Sequence, residues 1–167
     1  MSSKTIRTTI DRDRESILRI WHQGWHDAHG KLVPPSILVY RTPKHFATWL
    51  KEGKSRTFVA EDEGGIAGFY MLDGAELSKL YVRRAARGSG IAQALLSHAE
   101  DGLASQGVTE AELFCTVGNR RAQRFYERHG WRWAKTFDDD LWCPEPGIDV
   151  PSGPTHRYTK TLSRRHQ

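Results

Sequence analysis

The residue pattern predicts an α+β fold, layered α/β/α: a mixed, mostly antiparallel sheet of six to seven strands, with four helices. Three observations predict it. Apolar residues recur about every 3.6 positions in two early stretches and again after residue 90, as on helices buried by one face. Between 56 and 82 the pattern switches to strand-like runs separated by EGG and DG, which are hairpin signals. From 75 to 117 a strand, a long helix and another strand follow one another, which requires one parallel pairing with a right-handed crossover.

In chain order, TIRTT (5–9) reads as a short first strand. Asp11 is placed to cap the next helix, in which Ile17, Trp21 and Trp25 fall four apart on one face. Gly30 and the pair Pro34-Pro35 break that pattern. A weaker helix runs over 43–52, from Pro43 through Phe46, Trp49 and Leu50 to Gly53. RTFVAED (56–62), GIAGFYMLD (65–73) and AELSKLYV (75–82) make an antiparallel meander. From Ile91 a helical face carries Leu95, Ala99 and Leu103, with Leu96 beside them, until Gly107 stops it. EAELFCTV (110–117) is a buried strand. Asn119 caps a short helix holding Ala122, Phe125 and Tyr126, and Gly130 ends it. WRWAKTF (131–137) and HRYTKTL (156–162) close the sheet. Between them lies a Pro- and Gly-rich loop over 138–155, about eighteen residues, a length typical of lids and binding loops. The expectation is one domain over 1–167, with a core over 5–162 and a basic tail at 163–167.

A chain of 167 residues can bury a real core without staples. At 38% hydrophobic and 27% charged it is globular rather than disordered. No window approaches eighteen consecutive apolar residues, and the N-terminus lacks the apolar stretch of a secretory signal. Two cysteines, Cys115 and Cys143, are too few for a disulfide framework and fit a reducing, cytoplasmic setting. His22, His26 and His29 share a helix, but no Cys or His pair recurs at ligand spacing, so no metal is expected. A net charge of +5 favours an anionic partner: nucleic acid, an acidic membrane or a phosphorylated cofactor. Nucleic acid is the weaker choice, because no recognised motif and no basic-aromatic interleaving is present.

The stretch VRRAARGSGIAQALL (82–96) puts Arg83, Arg84 and Arg87 before Gly88 and Gly90, between a strand end and a helix start. Unpartnered N–H groups and the helix dipole favour an anion there. Glycines let the backbone close around it, and the arginines add a positive field. The device suits a pyrophosphate, although a plain strand-to-helix corner has the same ingredients. It is not a P-loop, and Gln93 stands where the dinucleotide fingerprint needs glycine. The segment ELSKLYVRRAARGSGIAQALL resembles the hallmark of the GNAT acyltransferase superfamily, Arg/Gln-x-x-Gly-x-Gly/Ala, read here from Arg87 to Ala92. VGNRRAQRFYERHGWRW resembles that family's Asn-x-x-Ala-x-x-Phe-Tyr-x-x-x-Gly-Phe segment, with Trp131 in the Phe place. The matched region runs from about 56 to 137, nearly half the chain.

The resemblance implies an N-acetyltransferase in which a primary amine attacks acetyl-CoA directly, without a covalent enzyme intermediate or a metal. It implies that the amides of Arg87, Gly88, Ser89, Gly90, Ile91 and Ala92 hold the pyrophosphate of coenzyme A. Main-chain groups of Leu80, Tyr81 and Val82 would hold the pantetheine where two parallel strands splay, with the Val82 amide facing the oxyanion. Asn119 would touch the pantetheine or cap its helix, and Phe125 would pack beside the cofactor. Tyr126 stands where relatives protonate the departing thiolate, a fair match of a phenol with a pKa near ~10 to a thiol near ~8.5. Glu76 stands where some relatives carry a base, and simple alternation puts it on the face of Ser78, Leu80 and Val82. Trp25, His26, His29 and Tyr40 are candidates for acceptor contact, because the first two helices wall that site in the family. Trp142 either closes over the acceptor or pins the long loop, and the acidic run 138–140 either attracts a cationic amine or is a solvated turn. Cys115 is expected to be structural, lacking a His partner. The acceptor is a small-molecule or peptide amine, and a homodimer is possible. A coenzyme-A-binding sensor without turnover is the alternative; the presence of Tyr126 counts against it.

Overall fold

The computed structural model describes residues 4–53, 55–144 and 149–163. Seven strands form one sheet in the order β1-β2-β3-β4-β5-β7-β6: β1 (Thr5–Thr8), β2 (Arg56–Asp62), β3 (Gly65–Asp73), β4 (Glu76–Val82), β5 (Glu110–Thr116), β6 (Arg132–Asp140) and β7 (Ser152–Thr161). Only β4 and β5 pair in parallel, as the crossover through α3 (Ile91–Ser105) requires. The other helices are α1 (Arg14–His29), α2 (Pro43–Glu52) and α4 (Arg120–Arg128).

The two faces of the sheet carry separate apolar clusters. On one, Trp21 and Trp25 of α1 and Phe46 of α2 pack on Phe69 and Met71 of β3. On the other, Leu95, Leu96 and Leu103 of α3 pack on Tyr70, Leu113 and Trp131. These α3 leucines are at most 1% exposed, and each fully buried leucine contributes about 1.5–3 kcal/mol. Alternation along β3 therefore sends Phe69 to one helical layer and Tyr70 to the other. Trp131 fills the same core at 2% exposure.

Three expectations are corrected. Asp11 does not cap α1; it opens a 3-10 turn, Asp11–Asp13, that precedes the helix. Asp13 is the fixed residue at that entry, accepting from Arg7 at 2.7 and 3.0 Å and from the Ile10 amide at 2.9 Å. The loop expected over 138–155 is shorter at both ends, because β6 continues to Asp140 and β7 begins at Ser152. Asp138, Asp139 and Asp140 pair with Pro154, Gly153 and Ser152, and their side chains blunt an edge strand, where charge is tolerated. The run is no acidic turn, and it does not line the cleft described below. Of the basic tail, residues 164–167 lie outside the described residues.

The third correction concerns β4. Met71 pairs with Lys79 but Leu72 pairs with Leu77, so Ser78 is an extra residue in a β-bulge. The bulge reverses alternation at that point. Glu76 consequently shares its face with Lys79 and Tyr81, toward α1, and not with Leu80 and Val82.

Candidate active site

At their base β4 and β5 are held by the Glu76–Glu112 pair, where the Glu112 amide donates to Ala75 O at 3.0 Å. Beyond it the strands diverge. The gap opens into a cleft of about 1410 Å³, closed by the start of α3, by α4 and by the end of α1. Leu80, Tyr81 and Val82 line it from β4, and Leu113 and Cys115 from β5.

The ladder to β3 decides which main-chain groups face the gap. Gly68 pairs with Val82, and the next amide, Arg83 N, donates to Ala67 O at 2.8 Å. Antiparallel pairs alternate between bonded and non-bonded. Val82 and Leu80 therefore turn their N–H and C=O groups toward β5, into the splay. Tyr81 turns its main chain to β3 instead, and its ring lies under α1 beside Phe69. Of the three residues expected to meet the pantetheine, Leu80 and Val82 therefore turn main-chain groups to the gap and Tyr81 does not.

The arginine-glycine turn forms one corner of the cleft. Gly88 and Gly90 have φ of +77° and +87°, a left-handed conformation that side chains rarely adopt. A Cβ at Gly88 would meet nothing within 4 Å, so the glycines are needed for conformation. Two of the six expected amides are engaged within the turn: Arg87 N donates to Arg84 O at 3.1 Å and Ser89 N to Ala86 O at 3.3 Å. The amides of Gly88 and Gly90 and the first turn of α3, with Ile91 and Ala92, remain for an anion. Ile91's side chain is itself core, at 1% exposure.

The arginines are paired. Arg83 donates to Asp62 at 2.6 Å and to Ile66 O at 3.0 Å, which ties the strand end down. Arg84 and Arg87 both bond Asp27 at the end of α1, Arg87 at 3.0 Å, and hold its carboxyl well below the usual range. Nothing local in the sequence marks this contact, because Asp27 and Arg84 lie 57 residues apart.

From α4, Asn119 accepts from Ala122 N at 3.3 Å and so acts as the expected cap, while still lining the cleft. Phe125 and Tyr126 line the cleft beside it with their rings edge to face, 5.2 Å apart. Burial pushes the Tyr126 phenol well above its ordinary value, keeping it protonated. Cys115 is 5% exposed and its thiol is pushed up to about 12 by burial, which makes it inert.

The remaining candidates separate into two groups. His26 and His29 line the cleft. His26 Nε2 bonds Arg41 O at 2.7 Å, donating in that tautomer, and burial pulls His29 down to about 4, so its ring is neutral. Trp25, Tyr40, Trp142 and Glu76 do not line it. Trp25 is core at 6% exposure, and Tyr40 packs edge-on against His45. Trp142 stacks parallel on Trp49 of α2 with centroids 4.9 Å apart, so it pins its loop. Burial, with Glu112 and Asp73 nearby, raises the Glu76 carboxyl, an effect that Lys79 opposes. Lys79 lines the cleft with Arg41 and Trp49 behind it, and neither cation carries a periodic or motif signal in the sequence. Among the described residues, no three His, Cys, Asp or Glu side chains form a metal-binding group, and no helix is long and apolar enough to cross a membrane.

Comparison with known proteins agrees with this geometry. The profile of the Acetyltransferase (GNAT) family matches residues 15–131. Uncharacterized N-acetyltransferases of Mycobacterium bovis and Mycobacterium tuberculosis are 34% identical over 92 residues, covering 52% of this chain and 59% of theirs. The match thus spans about three fifths of those relatives' length. Among solved structures, a GCN5-related N-acetyltransferase from Rhodopseudomonas palustris superposes with a TM-score of 0.75 at 17% identity, over 97% of this chain and 98% of that one. PaiA N-acetyltransferase from Thermoplasma acidophilum, solved in complex with coenzyme A, gives 0.66 at 17% identity, over 96% and 99%. Fold, splayed strand pair and matched profile together place the chain in the GNAT acetyltransferase family.

Proposed function

We propose that the chain transfers the acetyl group of acetyl-CoA to a primary amine on a small molecule or peptide, by direct attack on the thioester. The observation that carries this reading is one cleft holding both the left-handed glycine turn at the start of α3 and the Tyr126 phenol on α4. Acetyl-CoA supplies an activated acyl group with a thiolate leaving group. The amides around Gly88, Gly90 and Ala92 bind its pyrophosphate, and Leu80 and Val82 pair with its pantetheine as with an added strand. The Val82 amide, turned into the splay, donates to the developing oxyanion. Tyr126 gives its proton to the departing sulfur; the dry surroundings that raise the phenol also make a thiolate there more basic. We assign removal of the ammonium proton to Glu76 through water, since its raised carboxyl stands behind the cleft wall.

Thiol release with an amine panel tests the reading. Tyr126→Phe is expected to lower kcat about 10²–10⁴-fold with acetyl-CoA affinity retained. Glu76→Gln is expected to remove the limb of the profile in which kcat/KM rises with pH as the raised carboxyl ionises. Unaltered kcat in Tyr126→Phe would sink the acid assignment. Coenzyme A binding without turnover of any amine would favour the sensor alternative.

A further inference from the structure

Beside the cleft, under α1 and α2, two cations stand without a carboxylate in salt-bridge contact. Arg41, 2% exposed, lies between aromatic rings, its guanidinium carbon 5.0 Å from Trp25, 5.1 Å from Trp49 and 5.6 Å from Trp142. One of its nitrogens, Nη1, donates to Tyr40 O at 3.1 Å, while Nε is buried with no partner. Lys79 reaches the same box from β4, with Nζ 5.0 Å from Trp49 and 5.9 Å from Trp21. It donates to Ser78 O at 3.1 Å. Glu76, on the same face, attracts it from beyond salt-bridge distance. Among the described residues, neither cation has a carboxylate within 4.0 Å.

Unpartnered buried nitrogens lie close by. Trp21 Nε1 is a second buried N–H without an acceptor, and His29 Nδ1 is also unpartnered. Burying an unpaired charge or donor is costly, and such groups are rarely left so without a ligand or a role. Burial lowers the Lys79 ammonium and brings Arg41 down to about 10, and Arg41's charge adds to the depression of both Lys79 and His29. An anion held at Lys79 would offset the positive field that Lys79 and Arg41 together impose there. Lys79 and His29 line the cleft, so an acceptor molecule can reach them; Arg41 stands behind and acts through the field.

We infer that the acceptor amine carries an anionic group, a carboxylate as in an amino acid, which docks on Lys79 in front of the buried Arg41 and its tryptophan box. This deepens the acetyl-transfer reading and rests on it. Lys79 is the specificity-determining contact, and Arg41 is a positioning residue that keeps the pocket positive. Polyamines and other purely cationic acceptors are disfavoured by the same charge.

The experiment follows thiol release with L-amino acids, each compared with its own α-amide and its decarboxylated amine. The free acid is expected to exceed its amide at least about tenfold in kcat/KM, mainly through KM, as a charge-assisted contact predicts. Lys79→Met is expected to bring that ratio near one. A wild-type ratio of one or below overturns the inference and leaves acetyl transfer standing. Release from no amine at all counts against the transfer reading instead. The pocket is then read without turnover, by tryptophan fluorescence during titration with an N-acetyl amino acid and its amide in the presence of coenzyme A. A saturable response to the acid alone supports the anionic pocket, and equal or absent responses overturn it.

Discussion

Asp27 shows how one side chain can set the strength of a binding corner. It pairs with both Arg84 and Arg87 beside the glycine turn and offsets part of their charge, although neither arginine is deeply buried. Solvent screens exposed pairs of this kind, so Asp27→Asn should cost little stability. It should free both guanidinium groups for phosphate. The expected result is coenzyme A binding tightened severalfold, with a steeper dependence on salt, measured by calorimetric titration at two ionic strengths. Weaker binding would mean that Asp27 positions the arginines for phosphate rather than competing for them. Arg83 behaves differently, because its bonds to Asp62 and Ile66 O anchor the end of β4.

At the scale of elements, the site depends on how closely α1 lies on β4. A Cβ built at Gly24 would stand 2.6 Å from Tyr81 Cδ1, so the glycine allows the helix to sit on that ring. Gly24→Ala must move the helix or turn the ring into the cleft. The expected outcome is a loss of about 1–3 kcal/mol in urea unfolding, the usual penalty of overpacking, together with weaker acetyl-CoA binding. Unchanged stability and binding would show that α1 is not tightly seated. Sequence periodicity located α2, β2 and β3 at their observed limits, because each has its own apolar pattern and a Gly or Pro boundary. The bulge at Ser78 was invisible, since it exists only in the register with β3. It changed the face of Glu76, the one catalytic candidate placed by alternation. The continuation of β6 through three aspartates was equally hidden: acidic residues disfavour strands on average, and only pairing with β7 holds them there.

For the molecule as a whole, the proposed function rests on the place where two neighbouring strands part. Parallel β4 and β5 separate beyond their base, and the turn, α4 and the end of α1 all converge on the gap. The glycine turn and the Tyr126 helix were legible in the sequence, because both are local motifs whose chemistry is carried by neighbouring residues. Arg41, Lys79 and Trp49 were not, because their meaning lies in who surrounds them after folding. The central claim is that this gap is an acetyl-CoA site, and thermal unfolding with and without acetyl-CoA tests it most directly. Wild type is compared with Ala92→Glu, which sets a carboxylate at the first turn of α3, a position where the helix itself accepts acid well. At a hundredfold excess over its dissociation constant, acetyl-CoA should stabilise wild type by about 2.7 kcal/mol and the variant by far less. No shift in wild type at millimolar ligand, or equal shifts in both proteins, would contradict the account.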